Sequence, residues 1–256
     1  MNIIAVAAQK GGVGKTTSTV NLGAVWAEDG LRVLVIDADP QASATKWLQG
    51  KGKGEKLLEV YRGDSAISDA LQPSVVLGID LVASGPRVHG VDKMMAAETA
   101  PCELNLKYAL EDHANAAKPH DIVIIDCPPS LGFPTVAALA AAPHVVVPVG
   151  VRPLDSPGLA ELQKAIANVS ARMRCPIKVI ATIPTFYDSR TSVSKQMLEK
   201  LKAEEKATIT DRVDLLTRIV EAPAYHLPLT QHAPKSRPAL QYRRIAEQIL
   251  KRITSS

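Results

Sequence analysis

Aromatic residues are scarce in this chain: two Phe, two Trp and five Tyr make up 4% of its 256 residues. A core so poor in rings must be built from Ala, Val, Leu and Ile, which suits a parallel sheet covered by helices on both faces. Cysteine is nearly absent too. Cys102, Cys127 and Cys175 form no CxxC pair and no zinc spacing, which excludes a disulfide scaffold and a zinc ribbon. Cys127 reads as a small core residue rather than a reactive thiol. No Gly/Ser-rich or Pro-rich stretch divides the sequence and no repeat recurs, so residues 1–256 are expected to form one domain. The start runs directly into Ile3-Ile4-Ala5-Val6-Ala7 without a basic segment or cleavage site, so no signal peptide is expected. The longest apolar stretch, 136–151, is broken by Pro143, His144 and Pro148, and reads as helix, turn and strand rather than a membrane span.

What the chain does have is hydrophobic residues, 46% of the total, enough for a substantial α/β core. Short apolar runs at 3–8, 33–36, 79–82, 122–125, 145–149 and 177–183 have the character of strands buried on both faces. Amphipathic helical stretches lie between and beyond them, at 16–28, 104–114, 135–141, 158–170, 193–201 and 240–253. Strands alternating with helices imply right-handed crossovers and a doubly wound, mostly parallel sheet with helices on both faces. Ligands of such sheets bind beyond the carboxyl ends of the strands, so functional residues are expected just after the apolar runs.

The first run is followed by Gln9-Lys10-Gly11-Gly12-Val13-Gly14-Lys15-Thr16-Thr17 and then at once by a helical pattern. Glycines let a backbone wrap an anion with its N–H groups, and the helix that follows presents its positive end to the same charge. Lys15 would meet β- and γ-phosphates, and the Thr16 hydroxyl would ligate Mg²⁺. The second run ends in Asp37-Ala38-Asp39-Pro40-Gln41, whose two carboxylates at alternate positions are expected to point to one side. The fourth ends in Asp126-Cys127-Pro128-Pro129-Ser130, and an acid after a buried strand is the usual second Mg²⁺ anchor of phosphate-loop proteins.

The loop resembles the deviant Walker A form, KGGxGKTT, of the ParA/MinD group, with Gln9 where the ordinary pattern has its first glycine. The two acidic runs resemble the family's DxDPQ and DxPPS motifs, and the resemblance reaches the Tyr187–Thr191, Glu221–Pro223 and Tyr242 segments. It implies a P-loop ATPase using ATP and Mg²⁺. Lys10 would reach across a dimer to the partner's nucleotide, Asp39 would orient the attacking water, and Asp37 would be a Mg²⁺-side or structural carboxylate. One stretch departs from the pattern: Val213-Asp214-Leu215-Leu216 stands where relatives often have Ile-Pro-Arg-Asn, close to adenine and the dimer edge.

Charge is uneven. From Arg190 onward there are 13 Lys/Arg against 7 Asp/Glu, while the preceding 189 residues carry 17 against 19. A basic final quarter is compatible with nucleic acid or an anionic membrane. Arg190 and Arg218 correspond to arginines of the ParA family's sequence-independent DNA surface, and Lys195, Lys200, Lys202, Lys235, Arg237, Arg243 and Arg244 are candidates to widen it. With no helix-turn-helix arm ahead of the first strand, the expectation is a small ParA- or Soj-like switch. It would dimerise with ATP, bind DNA non-specifically and answer to a ParB-like partner in the cytoplasm, at the nucleoid. Positioning of a non-DNA cargo is the alternative. So is a MinD-like membrane switch, drawn from the apolar Leu240, Ile245, Ile249, Leu250 and Ile253 beside basic residues of the last helix; stable membrane association is not expected.

Overall fold

The computed structural model describes residues 1–49, 56–88, 90–96, 102–152, 158–205 and 208–254. In chain order the elements are β1 (Asn2–Val6), α1 (Lys15–Glu28), β2 (Val33–Asp37), α2 (Ser43–Leu48), α3 (Leu57–Arg62), α4 (Ile67–Ala70), β3 (Leu71–Pro73), β4 (Ile79–Val82), α5 (Val91–Ala96) and α6 (Asn105–Ala114). There follow β5 (Ile122–Asp126), α7 (Phe133–Ala141), β6 (His144–Gly150), α8 (Gly158–Met173), β7 (Lys178–Thr185), α9 (Ser192–Glu204), α10 (Thr217–Glu221), α11 (Leu229–His232) and α12 (Arg237–Thr254).

The strands form one seven-stranded sheet in the order β3-β4-β2-β5-β1-β6-β7. Every pairing is parallel except the edge pair β3 and β4. The strands β2 and β5 are buried at every position, which is why they read as unbroken apolar runs. Alternate residues serve opposite faces. Ile4, Val6, Val33, Val35, Ile122 and Ile124 pack under α1, α2 and α12, while Ala5, Leu34, Ile36, Val123 and Ile125 meet α3, α6 and α7. The chain leaves β1 toward β2 on one side of the sheet and leaves β5 toward β6 on the other. The carboxyl ends of β1 and β5 therefore flank the crevice where such sheets take ligands.

Trp26 of α1 is fully buried, with its Nε1 donating to the Ala246 carbonyl of α12 at 3.3 Å. Tyr242, Ile245, Ile249 and Ile253 of α12 are buried in the same cluster. The apolar face of the last helix is thus spent on the protein's own core.

Candidate phosphate-binding site

The loop between β1 and α1 occupies the crevice. Gly14 adopts the left-handed conformation (φ +92°) and starts α1, its carbonyl accepting from the Ser18 N–H at 2.8 Å. A β-carbon at Gly14 would lie 3.4 Å from the Phe186 ring. Lys15 is buried, and its Nζ donates to the Lys10 carbonyl at 3.0 Å, so it lies along the inside of the loop. Burial lowers its pKa, opposed by the nearby Asp126 and Asp39. Two contacts come from outside the loop: the Thr185 hydroxyl donates to the Val13 carbonyl at 2.7 Å, and Arg152 Nη2 donates to the Gly12 carbonyl at 3.0 Å. The Arg152 guanidinium also lies 4.7 Å from the centre of the Phe186 ring.

The acids converge from adjacent strands. Asp37 and Asp126 are register partners at the tips of β2 and β5, and both are fully buried. Asp126 accepts from the Thr16 hydroxyl at 2.7 Å and the Thr19 hydroxyl at 3.2 Å. Burial raises its pKa, and the neighbouring Asp37 carboxylate adds to the rise. Burial raises Asp37 as well, against the lowering effect of the Thr45 N–H at 2.7 Å.

Asp37 and Asp39 do not share a side as the alternation suggested. The strand ends at Asp37, whose carboxylate turns inward to the Thr45 and Asp39 backbone N–H groups. Asp39 belongs to the turn that follows, takes the Gln41 N–H at 2.9 Å, and faces the crevice. Ala42 closes that turn at φ 55°, a left-handed conformation for a residue with a β-carbon.

These groups border a cleft of about 620 Å³, within the range of small-molecule sites. Gly11, Gly12, Gly14, Lys15, Thr16 and Thr17 of the loop and α1 line it together with Asp39, Trp47, Pro129, Phe186, Pro223 and His226. Trp47 is fixed by its Nε1 donating to the Leu227 carbonyl at 3.0 Å. Lys10 is half-buried at the loop's apex, and Val13 is buried behind it. The stretch 213–216 does not border this cleft. Val213 instead continues the edge beyond β7, donating to the Pro184 carbonyl at 2.7 Å, while Leu215 and Leu216 line a separate groove.

The basic candidates divide. Arg190 and Arg237 line that second groove, about 580 Å³, with Leu215, Leu216 and Val220. Arg190 is bidentate to Asp188 (2.9 and 2.7 Å), Arg237 lies 3.4 Å from Asp214, and Arg218 lies 3.1 Å from Glu221. Lys195 is exposed in the first turn of α9, and Lys235 is exposed in the turn before α12. Lys200 stands away from them, beside Val149, Leu159 and Met197, and pairs with Glu204 at 3.8 Å. Lys202, Arg243 and Arg244 pair with Glu199, Glu28 and Asp211 at 2.9, 2.6 and 2.5 Å. Cys127 is buried at the Asp126 tip, and burial pushes its thiol pKa up; all three cysteines are buried thiols outside any disulfide.

Phe186, Thr185 and Arg152 escaped the motif reading. The first two stand just past the apolar run 177–183, where the strand-end rule would have nominated them. Arg152 stands as close past the run 145–149, but no motif singles it out.

A family model described as an AAA domain matches residues 1–179. The chromosome partitioning protein ParA of Caulobacter vibrioides is 33% identical over 98% of this chain and 95% of its own length. The chromosome-partitioning ATPase Soj of Thermus thermophilus is 36% identical over 98% and 96%. Among solved structures, cobyrinic acid a,c-diamide synthase from Mycobacterium smegmatis, with bound ATP analog and magnesium, superposes with a TM-score of 0.84 at 31% identity, covering 100% of this chain and 96% of that one. The McdA(D38A)–ATP complex of Cyanothece shares the fold, with a TM-score of 0.86 at 20% identity over 99% and 96% of the two chains. On relatives that match it over nearly their full length and on the matching family model, the chain belongs to the ParA/Soj-like partition ATPases, P-loop proteins of the ParA/MinD superfamily.

Proposed function

We propose that residues 1–256 act as one ATPase domain, an ATP-driven dimerisation switch that binds DNA without reading sequence and serves chromosome or plasmid partition with a ParB-like partner. The observation that carries this reading is the meeting of the glycine loop, the start of α1 and Asp39 at one cleft, where Thr16 is held from behind by the buried Asp126.

The donor set fits Mg²⁺. A fully buried carboxylate, Asp126, accepts from two hydroxyls, with the Lys15 ammonium nearby and a second carboxylate in register across the strands. These are hard oxygens, and burial together with the second carboxylate raises the Asp126 pKa even with Lys15 nearby, so a divalent cation would offset charge there. Thr16 would ligate the ion directly and Asp126 through water, with Asp37 behind them. When bound, Mg²⁺ would offset charge on the β- and γ-phosphates of ATP.

The chain's own groups would do the rest. N–H groups of Gly11 to Thr17 and the positive end of α1 bind the phosphates. Lys15 exchanges the Lys10 carbonyl for phosphate oxygens. Asp39, at the cleft and outside the buried pair, orients the attacking water, since phosphoryl transfer asks for positioning more than for a strong base. Lys10 reaches the partner subunit's nucleotide, so ATP holds two copies together and hydrolysis loosens them. Dimerisation doubles the phosphates that Arg190, Arg218, Arg237, Lys195, Lys200 and Lys235 can engage, and DNA affinity grows steeply with each contact. The protein would then sit on the nucleoid in the cytoplasm. A membrane reading of α12 has less support, because Tyr242, Ile245, Ile249 and Ile253 are already buried; no helix among the described residues is long and apolar enough to cross a membrane.

Static light scattering with ATP and Mg²⁺, hydrolysis being blocked by Asp39→Ala, tests the reading. A dimer is expected, and adding Lys10→Ala should return monomers that still bind nucleotide. A monomer at saturating ATP without the Lys10 change would refute it.

A further inference from the structure

We infer that Arg152 and Thr185 are positioning residues of the ATPase site, a clamp that orients two consecutive peptides of the phosphate loop from outside the cleft. The inference rests on the nucleotide reading above. The Gly12 carbonyl accepts from Arg152 Nη2 at 3.0 Å and the Val13 carbonyl from the Thr185 hydroxyl at 2.7 Å. No peptide bond among the described residues is cis. In a trans peptide the C=O and N–H point in opposite directions. Pinning the Gly12 carbonyl therefore turns the Val13 N–H away from Arg152, and pinning the Val13 carbonyl turns the Gly14 N–H away from Thr185. Neither Arg152 nor Thr185 borders the cleft, whereas Gly12 and Gly14 do. The loop lies between the clamp and the cleft, so the freed N–H directions are those a phosphate would use.

Phe186 completes the device. It packs against Gly14, lies beneath the Arg152 guanidinium and lines the cleft. It also holds a left-handed backbone (φ 56°), which a side chain of this size adopts only where its surroundings impose it. The two anchors arrive at the ends of β6 and β7, far along the chain from the loop they hold. A glycine-rich segment is flexible when unsupported, and fixing donors before the ligand arrives removes ordering cost from binding.

The test is calorimetric binding of MgADP and of the non-hydrolysable AMPPNP with Mg²⁺, alongside steady-state ATPase kinetics and melting temperature. Arg152→Ala and Thr185→Val should each weaken MgADP binding roughly three- to tenfold, the worth of one hydrogen bond. KM should rise by a like factor and kcat stay within about twofold, because bound phosphate restores the loop. Thr185→Ser should recover most of the affinity, and Arg152→Lys part of it. If wild type binds MgADP while Arg152→Ala and Thr185→Ser/Val all stay within twofold of it, the clamp is refuted and the site stands. A Thr185→Ser variant as weak as Thr185→Val would show that shape, not the hydroxyl, matters there, which also overturns the clamp. Wild type that binds neither nucleotide would remove the site itself.

Discussion

Two glycines of the phosphate loop should respond to the same substitution in opposite ways, because their surroundings differ. Gly14 has φ +92°, and a β-carbon there would meet Phe186 at 3.4 Å and Thr185 at 3.5 Å. Alanine in a left-handed conformation costs about 1–2 kcal/mol. Restricting the unfolded chain returns about 0.4–1 kcal/mol of that. The Gly14→Ala protein should therefore lose about 1 kcal/mol, a fall in Tm of about 2–4 °C for a chain of this size. Gly11 has no such backbone requirement, and nothing lies within 4 Å of its built β-carbon. Gly11→Ala should leave Tm unchanged or slightly raised. Both should lose MgADP affinity by tenfold or more, since the open space beside Gly11 is the cleft where phosphate oxygens would approach. Differential scanning calorimetry of the nucleotide-free proteins, paired with isothermal titration, separates the effects. If Gly11→Ala melted as far below wild type as Gly14→Ala, the account of the loop's own geometry would be wrong. If Gly11→Ala bound MgADP at wild-type strength, the cleft would not be the phosphate site.

Other outcomes are as definite. Asp39→Ala should reduce phosphate release to background while MgATP binding changes by less than about threefold; normal turnover would remove Asp39 from the water-positioning role. Arg218→Glu should weaken binding about equally on unrelated duplexes, measured by fluorescence anisotropy, whereas a loss confined to one sequence would indicate base readout. Arg252 of α12 donates to the carbonyls of Ile180 (2.8 Å), Thr208 (2.5 Å) and Ile209 (2.8 Å). Arg252→Ala removes three hydrogen bonds, leaving the Thr208 carbonyl only its Thr182 N–H, and should cost about 2–4 kcal/mol in urea unfolding, with Lys only partly substituting because it lacks the planar fork; a loss under 0.5 kcal/mol would contradict the bonding.

The parts of this fold that local pattern could announce were the strands buried on both faces and the motifs at their tips. Runs 33–36 and 122–125 became β2 and β5, and the loop of Lys10 to Thr17 lies where the strand-end rule put it. The strand β3 was invisible, being three residues ending in Pro73, too short for any period and placed only by pairing with β4. Helices α2 to α5 are equally short, at four to six residues each. Divergence of Asp37 from Asp39 was missed because alternation holds only while the chain is a strand. Tertiary adjacency hid the remainder. The hydrogen-bonded chain Asp80–His120–His113, with steps of 2.9 and 2.8 Å, ties β4 to α6 through residues that no local window brings together. The basic amphipathic pattern of α12 suits lipid as well as protein, with packing on the core the expectation, and its contacts with α1 supply the partner that the pattern could not name.

The tie between α1 and α12 has a bearing on how the molecule is made. Ser18, one turn into the phosphate helix, shares a 3.2 Å hydrogen bond with Tyr242, and β1 sits between β5 and β6. A ribosome delivers β1 and the loop well before their neighbours in the sheet, which come more than a hundred residues later, and the helix that buries Trp26 follows more than two hundred residues after α1 begins. Such long-range closure is slow. The nascent protein therefore carries an unfinished phosphate loop until α12 has been made, and competence to bind nucleotide waits on that helix.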